Sequence, residues 1–181
     1  MNKLAYRNKG FTLIEVVVTM AIVGVFASLA IPSFSNLIQS NRVAAGTSLL
    51  VSGLHLARSE ALKRANNVVL CVSTNQTSCT GGGDYAQGWI IFLDCDGDQL
   101  LGGGAVNCDG GAVADDLEQI IKVQDELSGL YIDNSVAGTA GFNYAGRATG
   151  PSTFDVGPSS SDLREKVILS RVGRIRVVHI P

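Results

Sequence analysis

From Phe11 to Ile31 the chain is almost continuously apolar, FTLIEVVVTMAIVGVFASLAI, and Glu15 is the one charge inside the run. No further charged residue occurs until Arg42. About 20 apolar residues in a helix, at ~1.5 Å each, cross ~30 Å of hydrocarbon. The run therefore predicts a membrane-spanning helix over 11–31. Lys3, Arg7 and Lys9 stand before it, and by the positive-inside rule they leave the N-terminus in the cytoplasm and export the remainder. A lone carboxylate at the bilayer centre costs roughly 2.5–3.5 kcal/mol on translocon scales, so Glu15 needs a partner.

Beyond the run the pattern changes. Pro32 removes a backbone donor and predicts a kink. Helix resumes after it, with Leu50, Leu54, Ala57 and Ala61 at helical spacing while Arg58, Glu60, Lys63 and Arg64 fall elsewhere. This amphipathic half covers 32–66 and stops at Asn66 and Asn67. Runs rich in β-branched and aromatic residues then predict strands at Val68–Val72, Trp89–Leu93, Leu117–Val123, Leu130–Asp133, Gly141–Tyr144, Ser152–Val156, Val167–Leu169 and Ile175–Ile180. A long helix followed by short strands with turn signals between them predicts an α+β fold, with the helix packed on antiparallel sheet and residues 67–181 forming one exported β-rich domain. The last two strands read as a hairpin with Arg171-Val172-Gly173-Arg174 near its turn. Alternation places Arg174 and Arg176 on one face and Ile175 and Val177 on the other, with the two guanidiniums about 7 Å apart, a spacing that suits successive phosphates of one DNA strand.

The basic flank ending in Lys9-Gly10, followed by FTLIE, resembles the class III signal of type IV pilins and pseudopilins. The resemblance implies a leader of residues 1–10, cleavage between Gly10 and Phe11 by a prepilin peptidase, and N-methylation of Phe11. It also implies that Glu15 meets the terminal amine of a neighbouring subunit, so that the N-terminal helix packs with other major and minor pilins. Location follows the same implication: single-pass in the inner membrane with the C-terminal domain in the periplasm, then in a pilus at the cell surface. A secretory signal would place small residues after the apolar core, and Ala27, Ser28 and Ala30 fit that reading, but it leaves Glu15 and the Gly before it unexplained.

Charge changes the picture more than composition does. The formal charge of −2 becomes −5 without Lys3, Arg7 and Lys9, as 14 basic groups fall to 11 against 16 acidic ones, which argues against a nonspecific polycation. The distribution is uneven. Asp84 to Asp133 holds eleven carboxylates and one cation, Lys122, whereas Arg164, Lys166, Arg171, Arg174 and Arg176 cluster near the end against Glu165 alone.

The body of the chain resembles the FimT/GspH branch of minor pilins and pseudopilins, through ARSEALKR (57–64), VVLC (68–71), GWIIFLD (88–94), FNYAGR (142–147) and GRIRV (173–177). That resemblance implies a type IV pilin-like β-roll. Some members take up DNA and carry a GRxR motif, matched here by Gly173, Arg174 and Arg176; Arg171, Lys166 and Arg164 extend the basic segment. The implied partner is double-stranded DNA, held through phosphates without regard to sequence, since no recognition helix or zinc finger is visible. Two alternatives stand beside it. The arginines could be a solvated edge that discourages aggregation, and the chain could be a type II secretion pseudopilin or an assembly-priming subunit that touches only other pilins.

Four cysteines fit an oxidising compartment and permit three pairings, of which local pairing, Cys71–Cys79 and Cys95–Cys108, would staple two loops. Zinc is disfavoured by the lack of CxxC and by the isolation of His55 and His179. Asp94-Cys95-Asp96-Gly97-Asp98 has calcium-like spacing, but the twelfth position of an EF-hand would be Ala105, so the segment reads as an acidic turn. The glycine triplets 81–83 and 102–104 lack the Lys-Ser/Thr of a phosphate loop. No cofactor and no enzymatic activity are expected, because no nucleophile, base and orienting group share a motif.

Overall fold

The computed structural model describes residues 10–101, 108, 118–134, 138–159 and 164–180, the side chains of 29–33 excepted. It comprises one helix, α1 (Leu13–Arg64), and eight strands: β1 (Asn67–Val72), β2 (Trp89–Asp94), β3 (Ile120–Gln124), β4 (Leu130–Asn134), β5 (Thr139–Phe142), β6 (Ser152–Pro158), β7 (Arg164–Leu169) and β8 (Ile175–Ile180). The chain divides into two compact units, 1–39 and 40–181.

In the first unit α1 opens with a reciprocal cap. Thr12 Oγ1 accepts the Glu15 N–H at 3.3 Å, and Glu15 Oε2 accepts the Thr12 N–H at 3.4 Å. This T-x-x-E capping box satisfies donors that have no partner within the helix. The described apolar side chains here, including Phe11, Leu13, Ile14, Met20 and Phe26, are exposed. Among the described residues no helix is long and apolar enough to cross a membrane; the expected span 11–31 runs into the side chains of 29–33, which lie outside them, as does the leader before Gly10. The kink expected at Pro32 does not divide the helix, which runs as one element through that position.

In the second unit the helix presents Val43, Leu50, Leu54, Ala57 and Ala61 to the larger of two core clusters. The stripe rests on two antiparallel sheets, ordered β3-β2-β1-β5 and β4-β6-β7-β8. Val68, Leu70, Val72, Trp89 and Ile91 meet it from the first sheet, and Ile132, Phe154, Val156, Val167 and Leu169 from the second. Each large side chain fully buried here stabilises by about 1.5–3 kcal/mol relative to exposure. The opposite face of the first sheet is also covered: Val69, Cys71, Ile90 and Phe92 form a second cluster under Cys79 and Leu101. Strands β1 and β2 are therefore buried on both faces, which explains their near-continuous apolar sequences.

A short 3-10 turn at Tyr85–Gln87 ties the sheets together. Asp84 Oδ1 accepts the Ala86 N–H at 2.8 Å, capping the turn, and the Ile132 N–H of β4 at 2.7 Å. The Tyr85 hydroxyl is shared between the carbonyls of Leu70 and Gly138, and its ring meets Phe154 edge-on at 5.3 Å. Burial raises the Tyr85 pKa well above the usual phenol range.

All eight expected strands are present, with shifted ends. β3 starts at Ile120 and Leu117 lies outside the described residues; β5 runs from Thr139 to Phe142, leaving Tyr144 in a turn; β7 begins at Arg164. β8 has the expected bounds, Ile175–Ile180, and Arg174 lies in the turn before it.

Candidate nucleic-acid interface

The arginine segment forms a tight turn between β7 and β8. Leu169 pairs with Ile175; inside that pair the Ser170 N–H donates to the Arg174 carbonyl at 2.9 Å and the Gly173 N–H to the Ser170 carbonyl at 2.8 Å. The Arg174 N–H donates to Ser170 Oγ at 3.1 Å. Gly173 has φ +79°, so the turn needs a residue free to enter the left-handed region, the usual closure of a three-residue hairpin loop. The site is also crowded: a Cβ on Gly173 would collide with the Gly146 carbonyl oxygen and lie 3.2 Å from the Arg58 guanidinium. From α1, Arg58 Nη1 donates to the Gly173 carbonyl at 2.9 Å. The glycine of the GRxR motif thus has a backbone role, and the helix anchors the turn.

Around this fixed glycine, Arg171 and Arg174 are exposed at the tip. Arg176 lies opposite Ile168. Leu169, Val167 and Glu165 share the inner face with Ile175, Val177 and His179, so alternation puts Arg176 on the outer face with Lys166 and Arg164. Lys166 is paired with Asp155 across β6 and β7 at 3.5 Å, and Arg164 stands opposite Ile180, about 13 Å along the strand from Arg176. Among the described residues no carboxylate pairs with Arg171, Arg174 or Arg176. These three cations carry the free positive charge at the turn end of the hairpin.

The remaining candidates separate from this surface. Cys71–Cys79 and Cys95–Cys108 are both disulfide-bonded, which removes the thiols from metal binding. His179 Nδ1 lies 2.9 Å from Glu165 Oε1, and His55 is exposed on α1. The acidic turn brings together Asp94, Asp96, Asp98 and Glu118, with one ligand atom of each within 4.8 Å of the others. The fourth carboxylate comes from the approach to β3, not from position 105, and local spacing could not reveal it. Hard oxygens of this kind suit a divalent cation, yet each carboxylate accepts a backbone N–H: Asp94 from Gly97, Asp96 from Asp98, Asp98 from Leu100 and Glu118 from Cys95. The turn alone accounts for them. Burial foremost, with Glu118 and Asp96 adding, holds the Asp94 carboxyl above its ordinary value, while N–H bonds from Gly97 and Gln99 draw it down.

Comparison with known proteins places this geometry. Residues 47–173 match the family described as Type II transport protein GspH, and residues 6–31 match the prokaryotic N-terminal methylation motif. The type IV major fimbrial protein FimA of Dichelobacter nodosus is similar at 35% identity over 86 residues, 48% of this chain and 45% of that protein. Another FimA sequence from the same species is 42% identical over 55 residues, 30% of this chain and 34% of its own length. The chain thus spans less than half the length of the curated relatives it matches. In structure it resembles the type IV minor pilin FimU of Pseudomonas aeruginosa, with TM-score 0.54 at 16% identity over 76% of this chain and 89% of that one, a likeness of fold. With the methylation motif at its N-terminus, the GspH match across most of its length and a helix-on-sheet fold shared with a solved pilin, the chain belongs to the GspH family.

Proposed function

We propose that this protein is a minor pilin that holds double-stranded DNA by its phosphates, for uptake of extracellular DNA, through Arg171, Arg174 and Arg176. The observation that carries the reading is the contrast within one hairpin: Lys166 and His179 face carboxylates, whereas the three arginines at the turn end face none among the described residues. The Arg58 bond to the Gly173 carbonyl ties the turn to α1, so less order has to be created when phosphate binds. Contacts so few give weak, salt-sensitive capture that ignores base sequence. The work of uptake then falls to the filament, and the exposed apolar helix from Phe11 supports membrane anchoring followed by packing with other pilins after prepilin peptidase acts between Gly10 and Phe11.

Anisotropy titration of a labelled duplex against the full chain in detergent tests this. Three phosphate contacts contribute a log–log salt slope of about −2.7, and Arg174→Gln with Arg176→Gln flattens it by about two contacts on every sequence alike. An unchanged slope in the double variant would leave the arginines as a solvated edge. The second reading, a type II secretion pseudopilin that contacts only other pilins, is favoured by the description of the matching family, and it would gain from that result.

A further inference from the structure

The turn between β5 and β6 repeats three hydrogen bonds of the arginine turn. In Asn143-Tyr144-Ala145-Gly146-Arg147 the Asn143 N–H donates to the Arg147 carbonyl at 2.9 Å and the Gly146 N–H to the Asn143 carbonyl at 2.8 Å. The Arg147 N–H donates to Asn143 Oδ1 at 3.0 Å, as the Arg174 N–H does to Ser170 Oγ. Gly146 has φ +69°, and Phe142 bridges to Ala148 just outside the loop as Leu169 pairs with Ile175. Both pentapeptides thus have a side-chain acceptor first, a left-handed glycine fourth and an arginine at the closing position.

The two turns are also packed on one another. The Gly146 carbonyl oxygen sits where a Cβ of Gly173 would go, and a Cβ on Gly146 would lie 3.0 Å from Leu62 of α1. Each turn is wedged against the helix, Gly146 at Leu62 and Gly173 at Arg58. With one residue step of ~3.8 Å from each glycine to its arginine, the backbones of Arg147 and Arg174 lie within about 12 Å of each other. Arg147 is exposed and pairs with no carboxylate among the described residues. On α1, Lys63 and Arg64 share one carboxylate, Glu60, at 3.5 and 2.8 Å.

We infer that Arg147 is a further phosphate-contacting residue, and that the DNA-binding surface is a platform of two equivalent Gly-Arg turns rather than the single β7–β8 hairpin. This rests on the DNA-binding reading above. A duplex laid across the turns meets Arg147 on one and Arg171 and Arg174 on the other. Because both turns are fixed by backbone contact and by α1, the spacing of the cations is set before DNA arrives.

The test is a salt titration of duplex binding by the full chain in detergent, with parent, Arg147→Gln, Arg174→Gln and Arg42→Gln. Arg42 lies on α1 about 24 Å before Arg58 and controls for loss of charge alone. Arg147→Gln is expected to flatten the log–log slope by about 0.9, as Arg174→Gln does, so that the affinity lost between 50 and 200 mM salt shrinks by roughly 3.5-fold. Arg42→Gln is expected to follow the parent, and thermal melts of all variants to coincide. If the parent binds and Arg147→Gln keeps the parental slope, the two-turn platform is overturned while the hairpin reading stands. Failure of the parent to bind duplex DNA overturns both. Binding to phosphatidylglycerol vesicles that depends on Arg147, with a DNA slope that does not, would assign the residue to lipid and overturn the inference as well.

Discussion

The Arg58 guanidinium reaches across 115 positions of sequence to donate to the Gly173 carbonyl at 2.9 Å, joining α1 to the turn that displays Arg171 and Arg174. Gly173 is itself buried, so its carbonyl has little access to water as a replacement donor. Arg58→Met keeps the aliphatic stem and removes the donor, and is expected to destabilise the fold by about 1–3 kcal/mol. Gly173→Ala adds the cost of a left-handed alanine, roughly 1–2 kcal/mol, to a collision with the Gly146 oxygen. Both variants keep Arg171, Arg174 and Arg176, so on the DNA reading they weaken duplex binding without removing one of its cations. Chemical denaturation and the anisotropy titration read the two effects separately, and parental stability in Arg58→Met would show that the helix does not anchor the turn.

Asp84 supports the sheets in a comparable way. Its Oδ1 accepts from Ala86 and from Ile132, so Asp84→Ala strips a cap and a tie to β4 in one change. A loss of about 1–3 kcal/mol is expected, since two backbone donors are left without their acceptor. Asp84→Asn retains an acceptor oxygen and is expected to fall between the parent and the alanine variant. Equal loss in both would mean that charge, and not the acceptor, matters at this position.

Most of the architecture could be read from hydrophobic periodicity because each element here has a single dominant environment. Leu50, Leu54, Ala57 and Ala61 line one helix face, and β1 and β2 are apolar throughout because both their faces are covered. The arginine hairpin was legible for the same reason, as alternation sorts Arg176 from Ile175 and Val177. What escaped is non-local or depends on glycine conformation. Arg58 looked like a solvent-facing helix residue because nothing near it in sequence reveals the Gly173 carbonyl. The kinship of NYAGR and SRVGR leaves only a shared Gly-Arg in the sequence, since Asn and Ser do the same work with different side chains. The Thr12–Glu15 capping box, by contrast, has an explicit sequence signature that the role assigned to Glu15 in assembly overshadowed.

The disulfides offer a test in which burial opposes loop length. Chain entropy assigns about 2.6 kcal/mol to the Cys71–Cys79 loop and about 3.0 kcal/mol to the longer Cys95–Cys108 loop. Cys71, however, is fully buried in the cluster that covers the outer face of the first sheet. Replacing Cys71 and Cys79 by serine is therefore expected to cost more than replacing Cys95 and Cys108, the reverse of the loop-length order. Denaturation of the two double variants measures this, and the entropic order would indicate that burial of Cys71 contributes little.

Asp94 gives a pH dependence with a defined sign. Its folded pKa lies above the ordinary value of 3.8, chiefly through burial, so the folded chain holds its proton more tightly than the unfolded one. The associated stability is full below the unfolded value and is lost as pH rises through the folded value. Asp94→Asn keeps an acceptor for the Gly97 N–H and cannot ionise. In EDTA its melting temperature is expected to exceed that of the parent at pH 7 and to converge with it in acid. A variant less stable than the parent at pH 7 would show that the ionised carboxylate is favoured in this turn.

Glu15 has an observed capping role and a proposed assembly role that substitution can separate. Its carboxylate closes the capping box with Thr12, and the pilin-like signal assigns its charge to the terminal amine of a neighbouring subunit. Glutamine serves a capping box as glutamate does but has no charge to offer an amine. Glu15→Ala removes both functions, with a local loss at the helix start of about 0.5–2 kcal/mol. Both variants are expected to be cut after Gly10 and to yield N-methyl-Phe11 by mass spectrometry, since the signal before the cleavage point is intact. If charge governs assembly, Glu15→Gln and Glu15→Ala are equally absent from sheared filaments. Filaments that incorporate Glu15→Gln at parental levels would instead assign Glu15 to the cap, and an uncut Met1 terminus in sheared parent protein would remove the pilin-type processing on which both roles depend.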